Sequence, residues 1–202
     1  MSAVFVIVWL PVFMLMSACD ESPVKSVDED AELTQFYESD DMGWIERNNM
    51  RGGLAAELAP VRRLTAPYHN SSKAEADGWI VQLSPCVESP SSGGMGYHYG
   101  NPEYLQNGII DALKPEVLVY EPTEDGELRL VAVEYIAPFG PPEVEGEDPV
   151  EGDQPSLFGQ DFDYSPHVGE FGAWTLHVWL WRNNPEGMFA EYNPKVSCDY
   201  AF

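Results

Sequence analysis

Two histidines and one glutamate have the residue types and settings of a metal site. His98 follows a glycine-rich stretch and has a tyrosine on each side, and His177 lies in an apolar, tryptophan-rich segment. A neutral imidazole in either place can bind a transition metal. Each also has a plainer interpretation: His98 as a surface residue of a tight turn, and His177 as a core residue bonded to a backbone carbonyl.

Glu134 supplies the third candidate ligand. It falls on a predicted strand face otherwise made of valine and leucine, where a carboxylate is unfavourable unless it is paired or binds a cation. His98, His177, Arg129 and Arg182 are the available partners. Two imidazoles with one carboxylate suit Zn²⁺, Fe²⁺ or Mn²⁺. The predicted metal site is His98, Glu134 and His177, and the predicted cofactor is a divalent transition metal of open identity.

The familiar catalytic signatures are missing from the sequence. There is no G-x-S-x-G, no H-E-x-x-H and no Walker loop. Glu121 shares the predicted face of Glu134 but lies roughly 13 Å along the sheet, too far for a glycosidase pair. The sequence therefore assigns no catalytic residue.

A predicted β-hairpin over residues 116–138 must position Glu134. Asp125 and Gly126 form a two-residue turn signal between two strand-like runs. With that turn, the numbers of paired residues sum to about 251. The residues that would then share one face are Val117, Val119, Glu121, Leu130, Ala132 and Glu134.

Shorter signals place the remaining elements. Residues 173–182 are apolar on both faces, as expected of a central strand, and residues 79–83 form another strand. A helix is predicted over 54–64 with a break at Pro60, and a short one over 73–77, capped near Asn70 and ended by Gly78. The predicted fold class is α+β and β-dominated: a small antiparallel barrel or a curved sheet with short N-terminal helices.

The first nineteen residues predict export. Residues 1–18 carry an apolar run too short to span a bilayer, which is typical of a signal peptide. The small residues before Cys19 resemble a bacterial lipobox, so Cys19 is the predicted lipidation site. An ordinary signal peptide or an uncleaved anchor are the alternatives. The predicted location is extracytoplasmic, at the periplasm or cell surface, with a lipid anchor to the membrane.

The two remaining cysteines form an even pair for an oxidising compartment. Cys86 and Cys198 are predicted to form a disulfide. The alternative is a thiolate metal or redox pair, but no C-x-x-C spacing supports it.

Charge divides the mature chain and excludes one class of partner. The formal charge of −24 opposes nucleic-acid binding, which needs a basic face. Residues 19–50 are predicted to be an acidic tether, and 51–202 a globular β-rich domain with an acidic loop over 141–156. This loop could collect Ca²⁺, but it lacks the EF-hand spacing, and a solvated loop is the favoured interpretation.

Several segments resemble an uncharacterised family of exported bacterial proteins. The segments that carry the resemblance are GGMGYHYGNP, PEVLVYEP, VAVEY, LHVWLW, NPEGMF and NPKVSC. The resemblance covers about residues 60–198 and brings no established activity. It implies that the characteristic segments of the family include Cys86, His98, Glu121, Glu134, His177 and Cys198.

Three functions compete at this stage. The first is a membrane-tethered module that binds a metal or small ligand around His98, Glu134 and His177. The second is a cupin-like metal-dependent enzyme that uses the same residues. The third is a structural or interaction lipoprotein in which these histidines are simply packed.

Overall fold

A computed structural model describes residues 42–139 and 152–202, with side chains from residue 52 onward. The predicted signal peptide, Cys19, most of the tether and most of the acidic loop lie outside these residues. The fold below is that of the compact unit Glu46–Phe202. None of the helices in the described part of the chain has the length and apolar character that crossing a membrane requires.

One long helix and several short ones precede and interrupt the strands. They are α1 Met42–Thr65, a 3₁₀ turn Ala66–His69, α2 Ser71–Ala76 and α3 Pro102–Gln106. The predicted break at Pro60 was wrong, since α1 continues through it. Pro60 has no N–H group to donate to the Ala56 carbonyl. Because Ala56 is exposed, water can donate to this carbonyl instead. The predicted cap of α2 is confirmed, because the Asn70 side chain accepts from two backbone N–H groups.

Antiparallel strands form the body of the domain. They are β1 Val81–Gln82, β2 Val87–Ser89, β3 Gly93–Gly100, β4 Val117–Pro122, β5 Leu128–Pro138, β6 Ser156–Leu157, β7 Gln160–Asp161, β8 Asp163–Ser165 and β9 Ala173–Val178. Their order in the main sheet is β1-β3-β4-β5-β9-β8, with β2 also paired to β3. The end strands β1 and β8 hold two and three residues and do not pair with each other in the described part of the chain. The β-dominated antiparallel prediction is confirmed, but the sheet does not close into a barrel.

The predicted hairpin is present, but its register changes midway. Near the site it is as predicted, with Val117 opposite Glu134. A bulge follows Val119, and the pairs beyond it sum to 250, as in Tyr120 with Leu130. The two-residue turn was wrong, because Gly126 N–H donates to the carbonyl of Thr123, giving a longer loop. Leu130 consequently packs on the face opposite that of Glu134.

The two faces of the sheet bury separate apolar clusters. The helix-side face packs Leu118, Tyr120, Val133 and Tyr135 with α1 residues such as Leu58. The opposite face is called the cavity-side face, because a cavity described below opens on it. Its apolar cluster is smaller and leaves room for polar side chains. Its buried members are Val117, Val119, Val131, Ala132, Ile136, Ala173, Trp179 and Val196.

The strand predicted over 173–182 is shorter in the structure. It ends at Val178, and the N–H groups of Trp181 and Arg182 both donate to the Val131 carbonyl at the bulge. Trp181 therefore packs against the helix-side cluster and not on the face of His177, where alternation along a strand over 173–182 would place it.

A disulfide closes the domain, as predicted. Cys86 and Cys198 are bonded across 112 residues of sequence. Cys198 N–H also donates to the Glu88 carboxylate at 2.9 Å. The bond holds the C-terminal segment against β2, which pairs with β3.

Candidate metal centre

Sheet register brings the three predicted ligands to the cavity-side face. His98 on β3 lies opposite Val119, and Glu134 on β5 lies opposite both Val117 on β4 and His177 on β9. Paired residues point to the same face of a sheet, so all three side chains emerge together. The two valines between β3 and β5 are small enough for His98 and Glu134 to meet above them. Four neighbouring strands thus build the cluster.

The polar atoms of the cluster converge closely. His98 Nε2 lies 3.2 Å from His177 Nε2. The Glu134 oxygens lie 3.8 Å from His98 Nε2 and 3.8 Å from His177 Nδ1. One ligand atom from each residue fits within 4.8 Å of the others, so the three residues could hold a metal ion.

Burial favours the neutral form of all three groups, because it lowers the pKa of each histidine and raises the pKa of Glu134. Desolvation lowers the pKa of His98 to about 4, partly opposed by a hydrogen bond to the Gly96 backbone. Desolvation and the neighbouring His98 lower the pKa of His177 to about 3. Desolvation, reinforced by the Glu116 carboxylate, raises the pKa of Glu134 to about 8. Near neutral pH the histidines are therefore in the form that binds metals.

Two neighbours orient the imidazoles. Ser84 Oγ lies 2.9 Å from His98 Nδ1, so the other nitrogen of that ring faces His177. The His177 ring stacks on Trp179 at 16° between planes. A hydrogen-bond partner such as Ser84 fixes the tautomer and orientation of a ligating histidine. Ser84 was missed by the sequence reasoning, because nothing in its local pattern marks it.

A second buried acid lies beside the cluster. Glu116 is 1% exposed and accepts a 3.2 Å hydrogen bond from Ile136 N–H. Burial raises the pKa of its carboxyl to about 8. It was assigned no role from the sequence, and its proximity disfavours a negative charge on Glu134.

A cavity of about 590 Å³ opens over the three residues. His98, Glu134 and His177 are among its lining residues and are 7%, 3% and 6% exposed. His167 and Glu191, which are exposed, also line it. The cluster thus forms the deep part of a solvent-connected recess.

Other residues considered from the sequence lie outside the cluster. Glu121 accepts a 3.2 Å hydrogen bond from Arg129 and a 3.4 Å one from Ser197 N–H. Arg182 donates to the Lys195 carbonyl. Neither arginine is the partner of Glu134, whose near neighbours are the two histidines.

Comparison with known proteins adds no assignment. No family model matches the chain, and no curated protein or solved structure is detectably similar to it. The resemblance to a family of exported bacterial proteins stays a prediction.

Proposed function

We propose that this protein is an exported, lipid-anchored metal-binding protein that holds one divalent transition metal between His98, Glu134 and His177. The observation that carries the proposal is the convergence of these three buried side chains within 4.8 Å. The proposed site belongs to the domain that follows the acidic tether.

The Glu134 carboxyl is placed better for an ion than for direct hydrogen bonding, whereas the 3.2 Å between the two imidazole nitrogens suits either. At 3.8 Å from both imidazoles, the Glu134 carboxyl is beyond hydrogen-bond distance. Two nitrogens about 2.0–2.1 Å from one ion, at roughly 100°, would be separated by about the 3.2 Å found between the histidines. Packed core histidines do not require a carboxyl at this position.

The donor set limits the choice of ion. Two imidazole nitrogens and one carboxylate oxygen suit Zn²⁺, Fe²⁺ or Mn²⁺ rather than the oxygen-seeking Ca²⁺ or Mg²⁺. Loss of the Glu134 proton on binding would supply one negative charge against the two positive charges of the ion.

The proposed location depends on separate features. The apolar run before Cys19 supports cleavage and lipidation at that cysteine. The disulfide between Cys86 and Cys198 is typical of an oxidising compartment. A Cys19→Ser variant in which an ordinary cleavable signal peptide replaces residues 1–18 should move from the membrane fraction to the soluble fraction of cells. Unchanged membrane association of that variant would contradict a lipid anchor.

The second candidate is a metal-dependent enzyme, which the cavity favours. Catalytic metal sites keep a coordination position open to substrate, whereas structural sites are closed by protein ligands. Three protein ligands at the bottom of a 590 Å³ cavity leave such a position. Turnover of a substrate by the metal-loaded protein, lost on metal removal, would distinguish this candidate from a binding module.

Metal analysis tests the proposal. The domain from residue 20 onward is exported to the periplasm without a His tag, and its metal is counted by mass spectrometry. We expect near-stoichiometric metal, lost in His98→Ala and retained in His69→Ala, a matched control at an exposed histidine outside the cluster. Absence of metal after reconstitution with Zn²⁺, Fe²⁺ and Mn²⁺ would overturn the proposal and favour a structural or interaction lipoprotein.

A further inference from the structure

The walls of the cavity above the proposed metal site are mainly apolar. Six of its lining residues are aliphatic or sulfur-containing side chains drawn from several loops and elements: Leu83, Val87, Met95, Leu105, Ile136 and Val168. A volume of about 590 Å³ falls within the usual range of small-molecule pockets, about 300–1,000 Å³. Apolar walls of this extent favour a ligand with a largely apolar body.

The charges around the cavity oppose a negatively charged ligand. The described residues that line the cavity include no lysine or arginine, but they include the two acids Glu134 and Glu191. A divalent ion at the site would have its charge balanced by these two carboxylates. An anionic ligand would add a negative charge with no lysine or arginine in the described lining to receive it, and His167 is the one exposed imidazole there.

We infer that the cavity binds a neutral, mainly apolar small molecule through one nitrogen or oxygen donor that completes the coordination of the metal. This inference rests on the proposed function and adds the class of its ligand. Ser165 and Thr175, which also line the cavity, supply hydroxyl groups for orientation without adding charge. The apolar walls bind the body of the molecule, and the metal binds its single polar end.

Cobalt substitution allows the inference to be tested by visible absorption. The protein is loaded with Co²⁺ and titrated at pH 8 with three probes: imidazole, 4-phenylimidazole and benzoate. Imidazole offers the donor alone, 4-phenylimidazole adds an apolar ring, and benzoate carries the ring with a negative charge. We expect the cobalt spectrum to change with 4-phenylimidazole at a Kd about 10–100-fold below that of imidazole, because the added ring is buried. Benzoate should bind at least tenfold more weakly than 4-phenylimidazole.

A cavity-filling variant provides the matched control. Val168→Trp should retain cobalt but lose the preference for 4-phenylimidazole over imidazole, because the indole occupies the space of the phenyl ring. Ile109→Trp, at a 63% exposed residue outside the cavity, should behave as the wild type does. If Val168→Trp fails to fold, Leu105→Phe makes a smaller change in the same wall.

The possible failures can be told apart. If the protein binds cobalt and the cobalt-loaded protein binds imidazole and 4-phenylimidazole equally tightly, the inferred ligand class is overturned and the proposed metal site stands. Benzoate binding as tightly as 4-phenylimidazole would overturn the neutral character of the ligand. No cobalt absorption in the wild type, or the same absorption in His98→Ala, would overturn the proposed function and this inference with it.

Discussion

Replacing Glu134 by glutamine should stabilise the metal-free protein while abolishing its metal binding. The glutamine retains the size of the side chain but cannot ionise and is a poor ligand for a transition metal. In the native protein the Glu134 carboxyl is 3% exposed and its pKa is raised from 4.5 to about 8. A residue retained for binding at the expense of stability has this combination of effects.

The magnitude follows from proton linkage. Between pH 4.5 and about 8, the native state holds the Glu134 proton while the unfolded state releases it. The unfolded state therefore binds fewer protons, and the free energy of unfolding falls as pH rises through this window. The loss attributable to Glu134 is about 1 kcal/mol at pH 5 and about 3 kcal/mol at pH 7. Glu134→Gln has no such loss and should be more stable by about these amounts.

Urea unfolding with EDTA present measures the difference. Wild type and Glu134→Gln are compared at pH 5 and pH 7, and metal content is determined on separate samples. Glu121→Gln is the matched control, because it removes the 3.2 Å pairing with Arg129 and should not stabilise the protein. A Glu134→Gln protein that is less stable than wild type at pH 7, or whose advantage does not grow with pH, would refute the reasoning.

Further predictions concern the disulfide, the metal ligands and the sheet. Replacing Cys86 and Cys198 by serine should lower the unfolding free energy by about 4–5 kcal/mol, measured in urea, because their bond closes a 112-residue separation. Ser84→Ala should weaken Zn²⁺ affinity about 10–100-fold, measured by chelator competition, because it frees the imidazole that Ser84 orients. Zn²⁺ affinity should rise with pH through about 8 and level off above it, once Glu134 has lost its proton. Gly96→Ala should destabilise by about 2–4 kcal/mol, because φ is +109° and the new Cβ would lie 2.4 Å from a backbone oxygen.

Specific results would contradict these expectations. A loss below about 1 kcal/mol on removing the disulfide would refute the loop-closure argument. Unchanged Zn²⁺ affinity in Ser84→Ala, or affinity independent of pH, would refute the assigned hydrogen bonding and protonation. Gly108→Ala is the control for Gly96→Ala, since its added Cβ meets nothing within 4 Å. Equal losses at the two glycines would exclude steric contact as the cause.

The candidate site was predictable in part because alternation along a strand assigns each residue to one face of the sheet. Alternation along the hairpin placed Glu134 on an apolar face. Because burying an unpaired carboxylate there is unfavourable, Glu134 was expected to have a partner. The pairing of Glu134 with His177 and the approach of His98 depend on strand order, which joins residues far apart in sequence. The sequence offered the three residues that the sheet brings together, but it could not exclude Arg129 or Arg182 as partners of Glu134.

What the sequence could not predict depends on tertiary structure. The bulge after Val119 compensates for a turn longer than expected, so the register is as predicted near Glu134 and wrong near Gly126. Pro60 is tolerated because the helix face around Ala56 is exposed. The pattern of residues along the chain shows neither which strands pair with each other nor which side of a helix is exposed to solvent.

The most direct test of the metal site is anomalous diffraction from a crystal reconstituted with Zn²⁺. The account predicts one anomalous peak about 2.0–2.2 Å from a nitrogen of His98, a nitrogen of His177 and an oxygen of Glu134. The same crystal form of His98→Ala should lose this peak. Absence of density between these three side chains in the wild type, with Zn²⁺ bound only at exposed acids, would contradict the central claim.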